Sequence, residues 1–225
     1  MKGVLLIALS LVFAPVVLAA PRVSVGTQHK ISARTDVTSR VARFPESGAL
    51  ARFANAQLAA RERAELTEFN AQAREYAPGD PPSRGRYSYS STPHVVTNSP
   101  RLISGFVDTF VDYLGAHPST SRRAFNFALV EGRPQSLSVR DLFVRRSTHP
   151  ETRVSALLQA KLHRMQDGTG ERIEAAQLNN FLLRPNSVTW MFNAGEIGSY
   201  ADGPVDVALS IRELGTGANR ALFDR

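Results

Sequence analysis

One long amphipathic segment, with stretches of period-two alternation on both sides of it, restricts the fold of this chain more than any other feature. Leu50, Phe53, Ala54, Leu58, Leu66, Phe69, Ala73 and Tyr76 recur at helical spacing, and Arg61, Glu62, Arg63, Glu65 and Glu68 fall opposite them. A helix with one apolar stripe must bury that stripe against another layer. Pro45 is placed to open the helix, where its missing N–H is harmless. Pro78-Gly79-Asp80-Pro81-Pro82 ends it and forms the one credible linker. Upstream, Ile31, Ala33, Thr35 and Val37 alternate with Lys30, Ser32, Arg34 and Asp36, which predicts a half-buried strand.

Downstream, Tyr87 and Tyr89 alternate with serines, His94 to Thr97 reads as extended, and Asn98-Ser99-Pro100 makes a turn. Leu102 to Tyr113 is a long strand with Ile103, Val107, Val111 and Tyr113 on one face, and Phe106, Asp108, Phe110 and Asp112 on the other. Gly115-Ala116-His117-Pro118 breaks it. Ala124 to Val130 is the next strand, and Gly132 and Pro134 form the next turn, which together predict an antiparallel meander. Ser138-Val139-Arg140-Asp141 has the form of a capping box. Beyond Pro150 the spacing of Val154, Leu157, Leu158, Leu162 and Met165 predicts a second helix, stopped near Asp167-Gly168. A hairpin around Arg184-Pro185-Asn186-Ser187 and a last strand, Val205 to Ile211, complete the order. The expectation is an α+β fold, a mainly antiparallel sheet with amphipathic helices packed on one face.

The first twenty residues point to export. Lys2 supplies a positive start, Val4 to Leu18 is an apolar run, and Val17-Leu18-Ala19 is a small-x-small exit. The run is shorter than the roughly 20 residues that span a bilayer, so a cleaved signal with mature chain from about Pro21 is expected, in the periplasm or outside the cell. No later stretch is apolar enough to cross a membrane. The chain contains no cysteine, so disulfides and a thiol nucleophile are both excluded, and packing alone must supply the core. Its net charge of +7 is spread thinly: residues 21–98 carry eleven Arg and Lys against seven Asp and Glu, and residues 99–225 carry fifteen against thirteen. A nucleic-acid binder concentrates such charge in a stripe, so nucleic acid is not an expected partner.

No side-chain set for bond-making emerges. The five histidines, His29, His94, His117, His149 and His163, never sit four apart, and no HExxH occurs, so neither a metal nor any other cofactor is expected. No Gly-x-Ser-x-Gly elbow is present. Asp108 and Asp112 share a strand face about 13 Å apart at the usual rise per residue, too far for a glycosidase pair. Glu196, near Tyr200, has no acidic partner. Tyr87, Tyr89, Tyr113, Trp190 and Tyr200 could stack on sugars, although aromatic side chains more often fill a core.

The segment from Ser99 to Phe223 resembles an extracytoplasmic domain of RsiV-type anti-sigma factors, which sense lysozyme, and of PdaC-type peptidoglycan deacetylases. The resemblance rests on an ordered series: Gly115-Ala116-His117, Ala124 to Val130, Leu137 to Phe143, Val154 to Met165, Phe181 to Pro185, the loop Glu196 to Gly203, and Val205 to Leu214. Residues 21–98 resemble the companion region that precedes this domain, and the two are expected to pack as one unit. The chain departs from the pattern at Leu114, where a glycine is usual. It also departs at Ala194-Gly195, Ser199, Asp202 and Ser210. Neither the membrane helix of the anti-sigma factors nor the deacetylase catalytic domain is present, so the resemblance implies the module and not those activities. The function expected is a non-catalytic binding module for a cell-envelope ligand, either a peptidoglycan fragment or a wall-acting protein such as a lysozyme. Candidate contacts are Tyr113, His117, Glu196, Tyr200 and Asp202. Two basic proteins repel at long range, so a lysozyme would need the acidic loop around Glu196 and Asp202. The alternatives are a peptidoglycan hydrolase using Glu196 and His117, and an immunity protein against a wall-degrading toxin.

Overall fold

The computed structural model describes residues 22–45, 48–76, 85–144, 147–165 and 172–223. The expected signal segment, the Pro-rich linker and the stop at Asp167-Gly168 lie outside the described residues. Among the described residues nine strands form two sheets. The large sheet has the order β1 (Ser24–Ile31), β2 (Thr35–Arg43), β3 (Tyr87–Asn98), β4 (Leu102–Asp112), β5 (Ser119–Val130) and β6 (Arg133–Ser136). Every pairing in it is antiparallel except β2 with β3. A parallel pair needs a long crossover, and α1 (Ala49–Tyr76) supplies it. The small sheet has the order β7 (Phe181–Arg184), β8 (Ser187–Phe192) and β9 (Val205–Ser210). The chain is therefore α+β, as the order of sequence patterns predicts. The strands on either side of residues 98 and 99, β3 and β4, are paired along their length.

Each sheet has its own helix. α1 lies on the inner face of the large sheet, with Leu50, Ala54 and Leu58 against Ile103, Val107, Phe125 and Phe127, and with Phe69 and Ala73 against Tyr87 and Tyr89. Gly105 on β4 makes room for this packing, because a Cβ there would lie 2.5 Å from the Phe125 ring and 2.3 Å from the His94 carbonyl. α2 (Pro150–Met165) turns Val154, Leu158 and Leu162 toward Phe181, Leu183, Val188, Trp190 and Phe192 of the small sheet. Trp190 is fully buried, and its indole N–H donates to the Leu178 carbonyl at 3.0 Å.

The small sheet stands edge-on against the outer face of the large one. The unpaired backbone edge of β7 meets side chains that rise from β3, β4 and β5. Thr97 donates to the Leu183 carbonyl at 2.7 Å, the Leu183 N–H donates to Ser104 Oγ at 2.8 Å, and Asn126 donates to the Phe181 carbonyl at 2.7 Å. An edge strand is thus satisfied by side chains where no further strand exists to pair with it.

Several local expectations give way. The alternation across Lys30–Val37 is not one strand: Ser32 Oγ accepts the N–H groups of Arg34 and Thr35, at 3.1 and 2.9 Å, and folds the chain into the β1–β2 hairpin. α1 begins at Ala49 rather than at Pro45. Glu62 is buried in its apolar stripe, not on its polar face. Pro134 lies within edge strand β6, where its missing N–H is tolerated. Ile211 opens a single helical turn, α3 (Ile211–Leu214), because Ser210 and Glu213 close a capping box that ends β9.

Candidate functional site: an open cleft on the large sheet

The small sheet covers only one end of the outer face of the large sheet, and the other end stays open. Its side chains follow from the strand register. One cross-strand row is Thr38, Ser90, Phe110 and Thr120, and its neighbour holds Thr92, Asp108 and Arg122. The loop between β8 and β9, residues 193–204, forms a wall beside them. Together these enclose a cleft of about 280 Å³ lined by Ser90, Thr92, Phe110, Thr120, Arg122 and Asn193, among others. A second depression of about 750 Å³ lies near the start of α2, and a third of about 700 Å³ separates β1 and β2 from α1.

Two asparagines hold the wall in place. β6 pairs only with Phe127–Val130 of β5, which leaves the first half of β5 an unpaired edge. Asn193 Oδ1 accepts the Arg122 N–H at 2.6 Å, and its amide donates back to the Arg122 carbonyl at 3.4 Å. Asn180 accepts the Ala124 N–H at 2.7 Å and donates to the carbonyls of Arg122 and Met191. From α1, Arg61 reaches the carbonyls of Ala124 and Arg123. Side chains therefore complete the ladder and fix the loop to the sheet.

Charges around the cleft are paired. The Arg122 guanidinium grips Asp206 of β9 at 2.7 and 3.2 Å, and His94 lies 2.9 Å from Asp108. On the far strands His29 meets Asp36 at 2.9 Å. Arg40 donates to the Thr92 hydroxyl at 3.3 Å. The Arg122 Nε is buried without a hydrogen-bond partner among the described residues.

The residues singled out from the sequence separate into three places. Glu196, Tyr200 and Asp202 share the wall loop. Glu196 braces it, accepting the Asn193 N–H at 2.8 Å and the Asn193 side-chain amide at 3.1 Å. Asp202 accepts the Ser199 N–H at 2.9 Å in another capping box. Tyr200 is 60% exposed and packs over Gly195, whose φ of +80° is the left-handed region that suits glycine. Tyr113 lies on the opposite face of the sheet. It stacks on Phe69 at 5.5 Å and meets Tyr76 and Tyr87 at 5.0 and 5.8 Å, and burial, with the nearby Glu68 charge, pushes its hydroxyl up to about 12. His117 is exposed in the β4–β5 turn. That turn includes Leu114 at a left-handed φ of +57°, with its N–H held by Asp112. Tyr113 and His117 are thus not assembled with the acidic loop. Among the described residues no group of three or more His, Asp or Glu is arranged to hold a metal, and no helix is long and apolar enough to cross a membrane.

The cleft residues Ser90, Phe110, Thr120, Arg122 and Asn193 were not among the sequence candidates. The alternation of Phe106, Asp108 and Phe110 places Phe110 on the outer face. Nothing in the sequence says that this end of the face stays uncovered.

Fold and cleft together define a two-sheet α+β protein with an open polar sheet face bounded by a braced loop. Residues 140–212, which span α2 and the whole of the small sheet, match the model of a family described as a protein of unknown function (DUF3298). A solved structure of a DUF3298 family member from Bacteroides fragilis NCTC 9343 shares 17% identity and a TM-score of 0.64, covering 90% of this chain and 97% of that one. A DUF3298 family protein from Pseudomonas aeruginosa PAO1 shares 17% identity and a TM-score of 0.60, with coverage of 92% and 98%. At that identity the likeness is one of fold, and it extends over both sheets. No curated protein matches this chain.

Proposed function

We propose that this chain is an exported, non-catalytic binding module of the cell envelope, a relative of the RsiV and PdaC extracytoplasmic domains, and that the open cleft is where its ligand docks. The observation that carries this reading is the uncovered end of the large sheet: a layered fold normally buries or blunts its sheet faces and edges. Here the unpaired edge of β5 is satisfied by Asn180 and Asn193 while the face beside it is left accessible. The acids nearby brace the loop. Both carboxylate oxygens of Glu196 are engaged by Asn193, and Asp202 caps the turn at Ser199. A side chain used in this way is poorly placed to serve as a general acid or base.

A wall-acting protein is the second ligand to consider, on the strength of Tyr200. This ring is exposed two residues before the exposed Asp202, and an aromatic residue beside an acidic one suits a basic partner such as a lysozyme. An immunity protein would use the same loop tip. Titration calorimetry of the mature chain against soluble muropeptides and against lysozyme tests the reading. Saturable heat with one of them supports it, and no heat with either contradicts it. A zymogram on purified peptidoglycan addresses the hydrolase alternative, for which a lysis band lost in Glu196→Gln is required.

A further inference from the structure

We propose that the open end of the large sheet binds an uncharged oligosaccharide, one sugar ring seated over Phe110 and the chain running across β3, β4 and β5. This deepens the envelope-binding reading and rests on it. In the central row the Phe110 ring stands between the hydroxyls of Ser90 and Thr120, directly opposite it on the neighbouring strands. Phe110 is half-buried, with one side facing the cleft. Among the described residues neither the Ser90 nor the Thr120 hydroxyl has a hydrogen-bond partner in the protein. An apolar surface flanked by two free hydroxyls matches a pyranose ring, which presents C–H groups on its face and hydroxyls at its rim.

Charge selects among ligands in the same direction. Arg122 is ion-paired with Asp206, and the Asp108 carboxylate lies 2.9 Å from the His94 ring, so both charged groups at the cleft already have partners within the protein. An anionic ligand would have to displace Asp206 from the guanidinium to gain a cation. A protein partner would look for a deeply seated aromatic or arginine anchor, and the floor of the cleft is instead shallow and rich in hydroxyls. The volume of about 280 Å³ is near the lower end of small-ligand sites, about 300–1,000 Å³. That is room for little more than one ring, with neighbouring rings resting on Thr38 and the wall at Asn193.

The probe is chitotetraose, an uncharged β-linked tetramer of N-acetylglucosamine, titrated into the mature protein by calorimetry beside muropeptides and lysozyme. Saturable binding is expected, weakened about tenfold by Phe110→Ala, the usual scale for losing an aromatic anchor, and severalfold by Thr120→Val. Emission of the buried Trp190 reports that both variants remain folded. The assignment is overturned if chitotetraose does not bind, or if it binds with an affinity that neither substitution lowers. Muropeptide or lysozyme binding without chitotetraose binding removes the saccharide assignment and leaves the envelope reading standing. Lysozyme binding lost in Phe110→Ala would make the face a protein dock. Silence from all three ligands removes both proposals.

Discussion

Asn126 is where the two sheets are joined, and truncating it tests whether they stand or fall together. The side chain is 5% exposed. Its oxygen accepts the Ser104 hydroxyl at 2.7 Å, its amide donates to the Phe181 carbonyl at 2.7 Å, and Ser104 in turn accepts the Leu183 N–H. Asn126→Ala removes one partner from each of two buried polar groups that water cannot reach in the folded state. Each orphaned group costs about 1–3 kcal/mol, so a loss of about 2–6 kcal/mol is expected against a total stability of roughly 5–15 kcal/mol. The assay is urea unfolding of the chain from Pro21 onward. It is followed by the emission of Trp190, the only tryptophan, which reports the small sheet, and by far-UV circular dichroism, which reports both sheets. With a slope of about 2 kcal/mol/M for a protein of this size, the midpoint should fall by about 1–3 M in both signals while the slope is kept. A loss under about 0.5 kcal/mol would refute the relay as the joint between the sheets. Two separated transitions in the parent protein would refute the single cooperative unit.

Two pH-dependent effects follow from particular carboxyls. Burial raises the pKa of Glu62 on α1, and hydroxyls of Ser39, Ser91 and Tyr89 only partly offset it. Its folded-state pKa lies above the unfolded one, so the folded state holds this proton more tightly. Stability is therefore greatest at low pH and is lost as pH rises through the raised value. Glu62→Gln should remove that decline and leave the protein at least as stable at pH 7, and a large loss in pH 7 thermal melts would contradict this. Glu213 shifts the other way, from 4.5 to about 2, held mainly by the Ser210 hydroxyl, then by the Ser210 N–H and Lys161. Its contribution is present above about pH 4.5 and disappears as pH falls through about 2. Because the group is exposed, Glu213→Gln should cost under about 1 kcal/mol at pH 7. Melts at pH 2 should then bring variant and parent together, and a gap that persists there would count against the assignment.

The parts legible in the sequence are those where one periodicity runs without interruption. α1, α2, the β7–β8 hairpin and the face assignment of β4 all follow from apolar spacing, because burial selects residue type along an entire element. What went unread depends on single polar side chains. The Ser32 hydroxyl turns the chain between β1 and β2 with no glycine or proline to announce it, and the alternation on either side happens to continue through the turn. Glu62 sits at an i, i+4 position of the apolar stripe, where its register pointed inward while its charge suggested the opposite face. The capping box of Ser210 and Glu213 was a readable signal for α3, hidden by the alternation that runs up to Ile211. At the cleft, Asn180 and Asn193 are ordinary loop asparagines in sequence, and their role exists only because β6 is too short to cover β5. The acidic loop was legible as a unit; that its acids brace it from within depends on a fold in which Asn193 faces Arg122.

The central claim, a surface that docks an envelope ligand without breaking bonds in it, is tested most directly by mixing the mature protein with purified peptidoglycan sacculi. The pellet is then assayed for protein and the supernatant for released muropeptides. The account predicts saturable co-sedimentation, reduced by Phe110→Ala, with no muropeptide release. Sacculi that dissolve would contradict it, and protein that stays in the supernatant would contradict a peptidoglycan ligand at the cleft.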